Sequence, residues 1–146
     1  MKYLVILLAS SLLLISTQAH SRNTKHMFSI QQALQSDDFK QRLDPNIRLY
    51  FGDQKHPKKI DFLGQFSSNR KTNSFNKTDK QACQWVLLSA LLSLQDRAKS
   101  EGGNAVINIA SYYNKITVRS DTDYECHAGA VIAGVALIGD VVTLAK

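Results

Sequence analysis

The stretch that opens at Thr78 and stops at Gly102-Gly103 constrains this chain more than any other feature. Thr78 followed three residues later by Gln81 has the spacing of a capping box, in which two side chains satisfy backbone N–H groups left over at a helix start. The glycines supply the stop, because glycine takes the left-handed conformation of a helix C-terminus without steric cost. Between them lie Ala82, Trp85, Val86, Leu87, Leu88, Ala90, Leu91, Leu92, Leu94 and Ala98. That is wider than one amphipathic stripe, so the first half of the helix is expected to be enclosed on most sides. Gln95-Asp96-Arg97 and Lys99-Ser100-Glu101 are expected to return to solvent.

Such a helix needs a layer to bury against. Residues 105–113, 116–118, 124–137 and 141–144 read as strands that supply one. Upstream, Ser29 caps a short helix over 29–36, with Phe28, Ile30, Ala33 and Leu34 on its apolar side. Asp44-Pro45-Asn46 is a turn, 47–51 alternates as a strand, and 52–59 is a loop holding Pro57. Residues 60–66 form a second strand, with Gly64 at a bulge. The segment 67–77 is polar, basic and free of aliphatic side chains, which predicts a long exposed loop. The order implies an α+β fold, one long helix packed on a mostly antiparallel sheet. The small apolar residues of 128–145, with glycines at 129, 134 and 139, raise the alternative of a membrane-seeking hairpin. Asp140 inside the run and Asp123 and Glu125 before it oppose a span, and the β-branched residues suit buried strands or a partner-binding edge.

The chain of 146 residues has room for one domain and none for a multidomain enzyme, and 44% hydrophobic with 21% charged residues is the composition of a folded one. Residues 1–19 read as a secretory signal peptide: Lys2, an apolar run over 3–15, then Thr17 and Ala19 at small-residue positions before a cut near Ala19. Thirteen apolar residues are short of the roughly 20 that span a bilayer, so no transmembrane span is expected. The first cysteine is Cys83, so no lipid anchor is expected either. Residues 20–27 are then a flexible N-terminal segment and 28–146 a single domain, periplasmic or secreted. An exported chain with only Cys83 and Cys126 permits one disulfide, with two buried free thiols as the alternative.

Candidate chemistry is sparse. Cys126 beside His127 suggests a thiolate pair, but adjacent strand residues point to opposite faces. His20, His26, His56 and His127 are candidate metal ligands, as are Asp121, Asp123 and Glu125, which share one face if extended. None has the spacing of a closed site, so no metal, cofactor or catalytic residue is assigned. The net charge of +6 favours an anionic partner. Lys55, Lys58, Lys59, Arg70, Lys71, Lys77 and Lys80 against Asp61 and Asp79 form a basic stretch taken as the partner-binding loop. Compartment argues against nucleic acid.

Several motifs together resemble a small exported bacterial family. They are Tyr50-Phe51-Gly52-Asp53-Gln54, Lys71-Thr72-Asn73-Ser74-Phe75, Ala82-Cys83-Gln84-Trp85, Gly103-Asn104-Ala105-Val106-Ile107-Asn108-Ile109, Ser111-Tyr112-Tyr113 and Tyr124-Glu125-Cys126-His127-Ala128-Gly129-Ala130. The resemblance spans residues 30–144. Its members are usually labelled "excinuclease ATPase subunit", a label not adopted here: a phosphate-cradling loop needs a Gly-Lys step, and this chain has none, so no nucleotide is expected. Cys83, Asn104-Ala105-Val106, Cys126 and Gly134-Val135-Ala136-Leu137 are more distantly similar to the Rcs-pathway outer-membrane lipoprotein sensor, with YbjQ-like and heavy-metal-binding domains as further relatives. That similarity implies a disulfide tying the helix start to the late strand. A disulfide-stapled core, the basic loop and the absence of a convergent polar constellation favour a non-catalytic envelope protein acting by protein–protein contact, and the resemblance implies a place in an envelope assembly. Such a protein is an accessory or sensing component of an envelope assembly such as a secretion system, engaging a protein complex or an anionic envelope surface. The alternative is a periplasmic small-ligand or metal-ion binding protein, with a polar pocket near Tyr112, Tyr113 and His127.

Overall fold

The computed structural model describes residues 21–146, so the signal-peptide reading of 1–19 and the candidate ligand His20 lie outside the described residues. The elements are β1 (Thr24–Ser29), α1 (Ile30–Leu34), α2 (Asp37–Arg42), β2 (Arg48–Phe51), β3 (Lys59–Asn73), α3 (Asp79–Ser100), β4 (Ala105–Ser111), a 3-10 turn Tyr113–Lys115, β5 (Asp123–Ala128) and β6 (Ile132–Leu144). The fold is α+β: one long helix on a six-stranded, mostly antiparallel sheet, with one disulfide between Cys83 and Cys126.

Helix α3 begins and ends where its side chains dictate. Gln81 N donates to Thr78 Oγ1 at 3.1 Å and Thr78 N to Gln81 Oε1 at 3.1 Å, completing the capping box. At the far end Gly102, with φ of +79°, closes a Schellman motif in which Gly103 N donates to Ala98 O at 2.8 Å and Gly102 N to Lys99 O at 3.1 Å. Gly103 has a second reason to lack a side chain, since a Cβ there would lie 2.9 Å from both Val141 Cγ1 and Val142 O. Burial runs further along the helix than its composition suggests. Leu94, Gln95 and Ala98 are all buried, which corrects the expectation that Gln95 returns to solvent. Its amide donates to Asp44 O and Ile47 O and its carbonyl accepts from Asp44 N, replacing water with backbone partners.

β6 is the axis of the sheet. β3 pairs with it antiparallel from Lys59↔Leu144 to Asn73↔Ile132, while on its other side β4 covers the C-terminal half and β5 meets it at His127↔Gly134 and Ala128↔Ala133. β2 joins β4 in parallel and β1 joins β5 antiparallel. Ala133, Val135, Leu137 and Val141 face α3 in the main core, and Val142 and Leu144 join Ala105 and Ile107 in a small second cluster. No helix among the described residues is long and apolar enough to cross a membrane.

Four expectations are corrected. Residues 67–73 are strand, not loop: Ser67, Asn69 and Lys71 on one face and Ser68, Arg70 and Thr72 on the other carry no apolar signal, and pairing with the β-branched β6 imposes the extended state. Residues 24–27 are not part of a flexible segment but lie in β1, in register from Thr24↔Ala128 to Ser29↔Asp123. The expected strands 124–137 and 141–144 are redivided, as a turn at residues 129–131 separates β5 from a β6 that runs on through Asp140. Asp140 is accommodated by Gln65 Nε2 at 2.9 Å and Asn108 Nδ2 at 2.8 Å. Finally, the short helix stops at Leu34 and a second, α2, follows; its single buried side chain, Phe39, is too little for a periodic signal.

Candidate functional site

The disulfide and an ion cluster lock α3 to the β1–β5 ribbon. Cys83 and Cys126 are fully buried with Cα atoms 5.9 Å apart. One turn earlier, Asp79 accepts from Arg22 Nη1 at 2.7 Å and Nη2 at 2.8 Å and lies 2.7 Å from His26 Nε2. Hydrogen bonds from the Arg22 guanidinium, seconded by His26, hold the Asp79 carboxyl down at about 2, and the same contact raises Arg22 above its ordinary value. At the other end of α3, Lys99 Nζ lies 2.6 Å from Asp44, lowering that carboxyl. In the core, burial alone pushes the Tyr124 phenol up, and its hydroxyl has no partner among the described residues.

Among the described residues the opposite face of the sheet carries no helix, and there the polar residues converge. Glu125 is buried, with Nε2 of His127 at 2.6 Å from Oε1 and Nζ of Lys25 at 3.3 Å from Oε2. The Tyr113 ring stacks on His127 at 3.5 Å between centroids and 11° between planes, and Asn23 Nδ2 donates to its hydroxyl at 3.1 Å. The second imidazole nitrogen, Nδ1, is buried and has no partner among the described residues. Beside this stack lies an open cleft of about 740 Å³, whose lining includes Arg22, Asn69, Lys71, Tyr112, Lys115 and Gly134. The expected polar pocket near Tyr112, Tyr113 and His127 is therefore present as a cleft, and His127 does face a carboxylate. Asn23, Asn69, Lys115 and Gly134 were not singled out by sequence reasoning as site residues. Lys115 follows the polar Asn114 between Tyr113 and Ile116, and Gly134 interrupts a β-branched run, which is the only local trace of the site.

The basic residues do not form one patch. Lys59 pairs with Leu144 and Lys71 with Gly134, ten β6 positions apart, which at ~3.3 Å per residue separates them by about 33 Å. Lys55, Lys58 and Lys59 sit at one end of β3 beside Ile60 and Phe62, which are 60% and 56% exposed. Arg70, Lys71 and Lys77 sit at the other: Arg70 donates to Ser93 Oγ on α3 and Lys77 to Asn73 O, while only Lys71 lines the cleft. Lys80 belongs to the first turn of α3 and donates to Gln32 Oε1.

Cys126 and His127 point to opposite faces, and Cys126 is bonded to Cys83, so no thiolate pair exists. Asp121 does not extend the row of Asp123 and Glu125; it precedes β5 and accepts from Asp53 N at 2.6 Å. Among the described residues no group of three or more His, Cys, Asp or Glu side chains is arranged to hold a metal ion. Set against known proteins, the chain matches no family model, no curated protein and no solved structure.

Proposed function

We propose that this chain is a non-catalytic protein of the cell envelope, exported by its N-terminal signal, that acts by protein–protein contact as an accessory or sensing component of an envelope assembly. The observation that carries this reading is the end of β3 where Ile60 and Phe62 stand 60% and 56% exposed within a rim of Lys55, Lys58 and Lys59. Lys59 Nζ lies 5.7 Å from the Phe62 ring centroid. Large apolar side chains left in water beside charged ones are the anatomy of a contact surface, since a stable monomer gains nothing by exposing them. The outer edge of β3 takes no partner strand among the described residues, so backbone donors and acceptors are open there as well. The motifs that resemble a small exported bacterial family support the same placement.

The test is affinity purification of the tagged protein from crosslinked envelopes, followed by mass spectrometry. Wild type is expected to recover one envelope complex reproducibly, and Ile60→Ser/Phe62→Ser or Lys58→Glu/Lys59→Glu to recover about tenfold less, the loss expected for removing one contact anchor. Recovery of the protein alone, or equal recovery with both variants, would refute the reading. A second reading, a small-ligand binding protein, is favoured by the cleft beside His127.

A further inference from the structure

We propose that the cleft on the helix-free face binds an anionic sugar, a pyranose carrying a carboxylate or a phosphate. The inference deepens the ligand-binding reading and is independent of the contact surface at Ile60 and Phe62.

The floor of the cleft is one cross-strand row. Lys71 of β3 pairs with Gly134 of β6, and Gly134 pairs with His127 of β5. The gap in that row is the glycine. A Cβ on Gly134 would meet only Arg70 O at 3.6 Å and Lys71 Cγ at 3.7 Å, ordinary contacts, and the backbone there is not left-handed. Neither crowding nor backbone conformation requires glycine at this position. A larger side chain would fit the sheet and project into the cleft, so its absence is what keeps the floor open.

The walls are rigid and positively charged. Glu125 at Nε2 and Tyr113 across the ring hold His127 in place. Asn114 and Lys115, with φ of 51° and 62°, are two consecutive left-handed non-glycine residues that turn the chain along the rim. No aspartate or glutamate lines the cleft, and neither Lys71 nor Lys115 makes an ion pair among the described residues. Arg22, by contrast, is spent on Asp79 and Gly129 O. Two uncommitted ammonium groups in an acid-free cleft select a negative charge.

The neutral part of the ligand follows from the remaining lining. Asn23, Asn69, Asn114, Ser67 and Tyr112 present amides and hydroxyls. The β3 and β6 backbones beneath are paired with each other across the floor, so recognition on this face falls to side chains. Neutral donors and acceptors in that number suit a polyhydroxylated body. Val131 and Ile132, 58% and 55% exposed at the lip, suit the apolar face or acyl group of a sugar. A volume of about 740 Å³ accommodates one or two pyranose rings.

The experiment titrates the protein, purified after export and labelled with nitrogen-15, with N-acetylmuramic acid, N-acetylglucosamine 6-phosphate, N-acetylglucosamine and inorganic phosphate, followed by NMR. The expected result is saturable shifts at Lys71, Tyr113, Lys115 and Gly134 with one or both acidic sugars. The neutral sugar and inorganic phosphate should bind at least about tenfold more weakly, the factor one lost ion pair gives. Whichever acidic sugar binds more tightly identifies carboxylate or phosphate as the source of the charge. Gly134→Leu should abolish the shifts while leaving the urea unfolding midpoint in place. Lys71→Gln/Lys115→Gln should reduce acidic-sugar affinity to that of the neutral sugar. Equal binding of neutral and acidic sugars overturns the anionic class, and binding of phosphate alone overturns the sugar; either result keeps the ligand-binding reading. No binding by any of the four probes overturns both, and full binding by a folded Gly134→Leu protein removes the site from this cleft.

Discussion

Gln95 projects from the late turns of α3 into the core, where it is 2% exposed and bonded to Asp44 N, Asp44 O and Ile47 O. Removing it leaves Asp44 N without its partner and takes a donor from Ile47 O and from Asp44 O, which keeps Ile47 N at 3.2 Å, so Gln95→Ala is expected to destabilise by about 1–3 kcal/mol in urea unfolding. Gln95→Leu should recover little of that loss, because shape does not satisfy a hydrogen bond. Asp79 acts at the surface of the same helix. Its carboxyl is held at about 2, below the ordinary 3.8, by Arg22 and His26, so the clasp contributes stability above pH 4 that is lost as the pH falls through 2. Arg22 is half exposed, and solvent screening limits the contribution to on the order of 1 kcal/mol. Asp79→Asn should therefore be less stable than wild type by that amount at pH 7, and the two unfolding curves should draw together as the pH falls from 4 to below 2. A difference undiminished between pH 7 and pH 2 would mean the aspartate acts through something other than its charge.

β6 shows how one element gives two glycines opposite meanings. At Gly139 an added Cβ would come within 2.7 Å of Val106 Cγ1 and 3.3 Å of Ile109 Cγ1, whereas at Gly134 the nearest atom is 3.6 Å away. Gly139→Val is expected to lower stability by about 1–3 kcal/mol through overpacking, and Gly134→Leu to leave the urea midpoint unchanged. A reversal of that order would contradict the register of β6 against β4. The pairing of β3 with β6 likewise explains why the polar segment after Phe66 is extended. Its own residues favour a loop, but alternate residues exchange backbone hydrogen bonds with β6, and Arg70 and Phe66 are held from the helix side by Ser93 and Arg97. At the two ends of α3 the local signal and the tertiary outcome agree. Thr78→Ala should cost about 1 kcal/mol by removing half of the capping box.

At the scale of the molecule, the Cys83–Cys126 bond closes the chain from the start of α3 to β5, a separation of 43 residues that includes α3, β4 and the turn at Tyr113. Replacing both cysteines by serine is expected to cost about 2–5 kcal/mol in urea unfolding, most of it through the freedom regained by the unfolded chain. A cost below 1 kcal/mol would show that Asp79 and the β1–β5 ladder hold the joint without it. Much of this architecture was legible in advance. Helix α3 and its two ends, the α+β class and the burial of the last strand follow from residue spacing, because a capping box, a glycine stop and β-branched runs act over a few neighbours. What the tertiary structure alone decided involves partners distant in sequence. It made strands of residues 24–29 and 67–73, buried Gln95 and drew the basic residues apart to the two ends of β3. It also set Lys71, Gly134, His127 and Tyr113 around one cleft. Those four residues come from separate segments, and only the register of three strands and one turn brings them together; local periodicity records which face a residue takes and carries no information about which distant residue stands beside it.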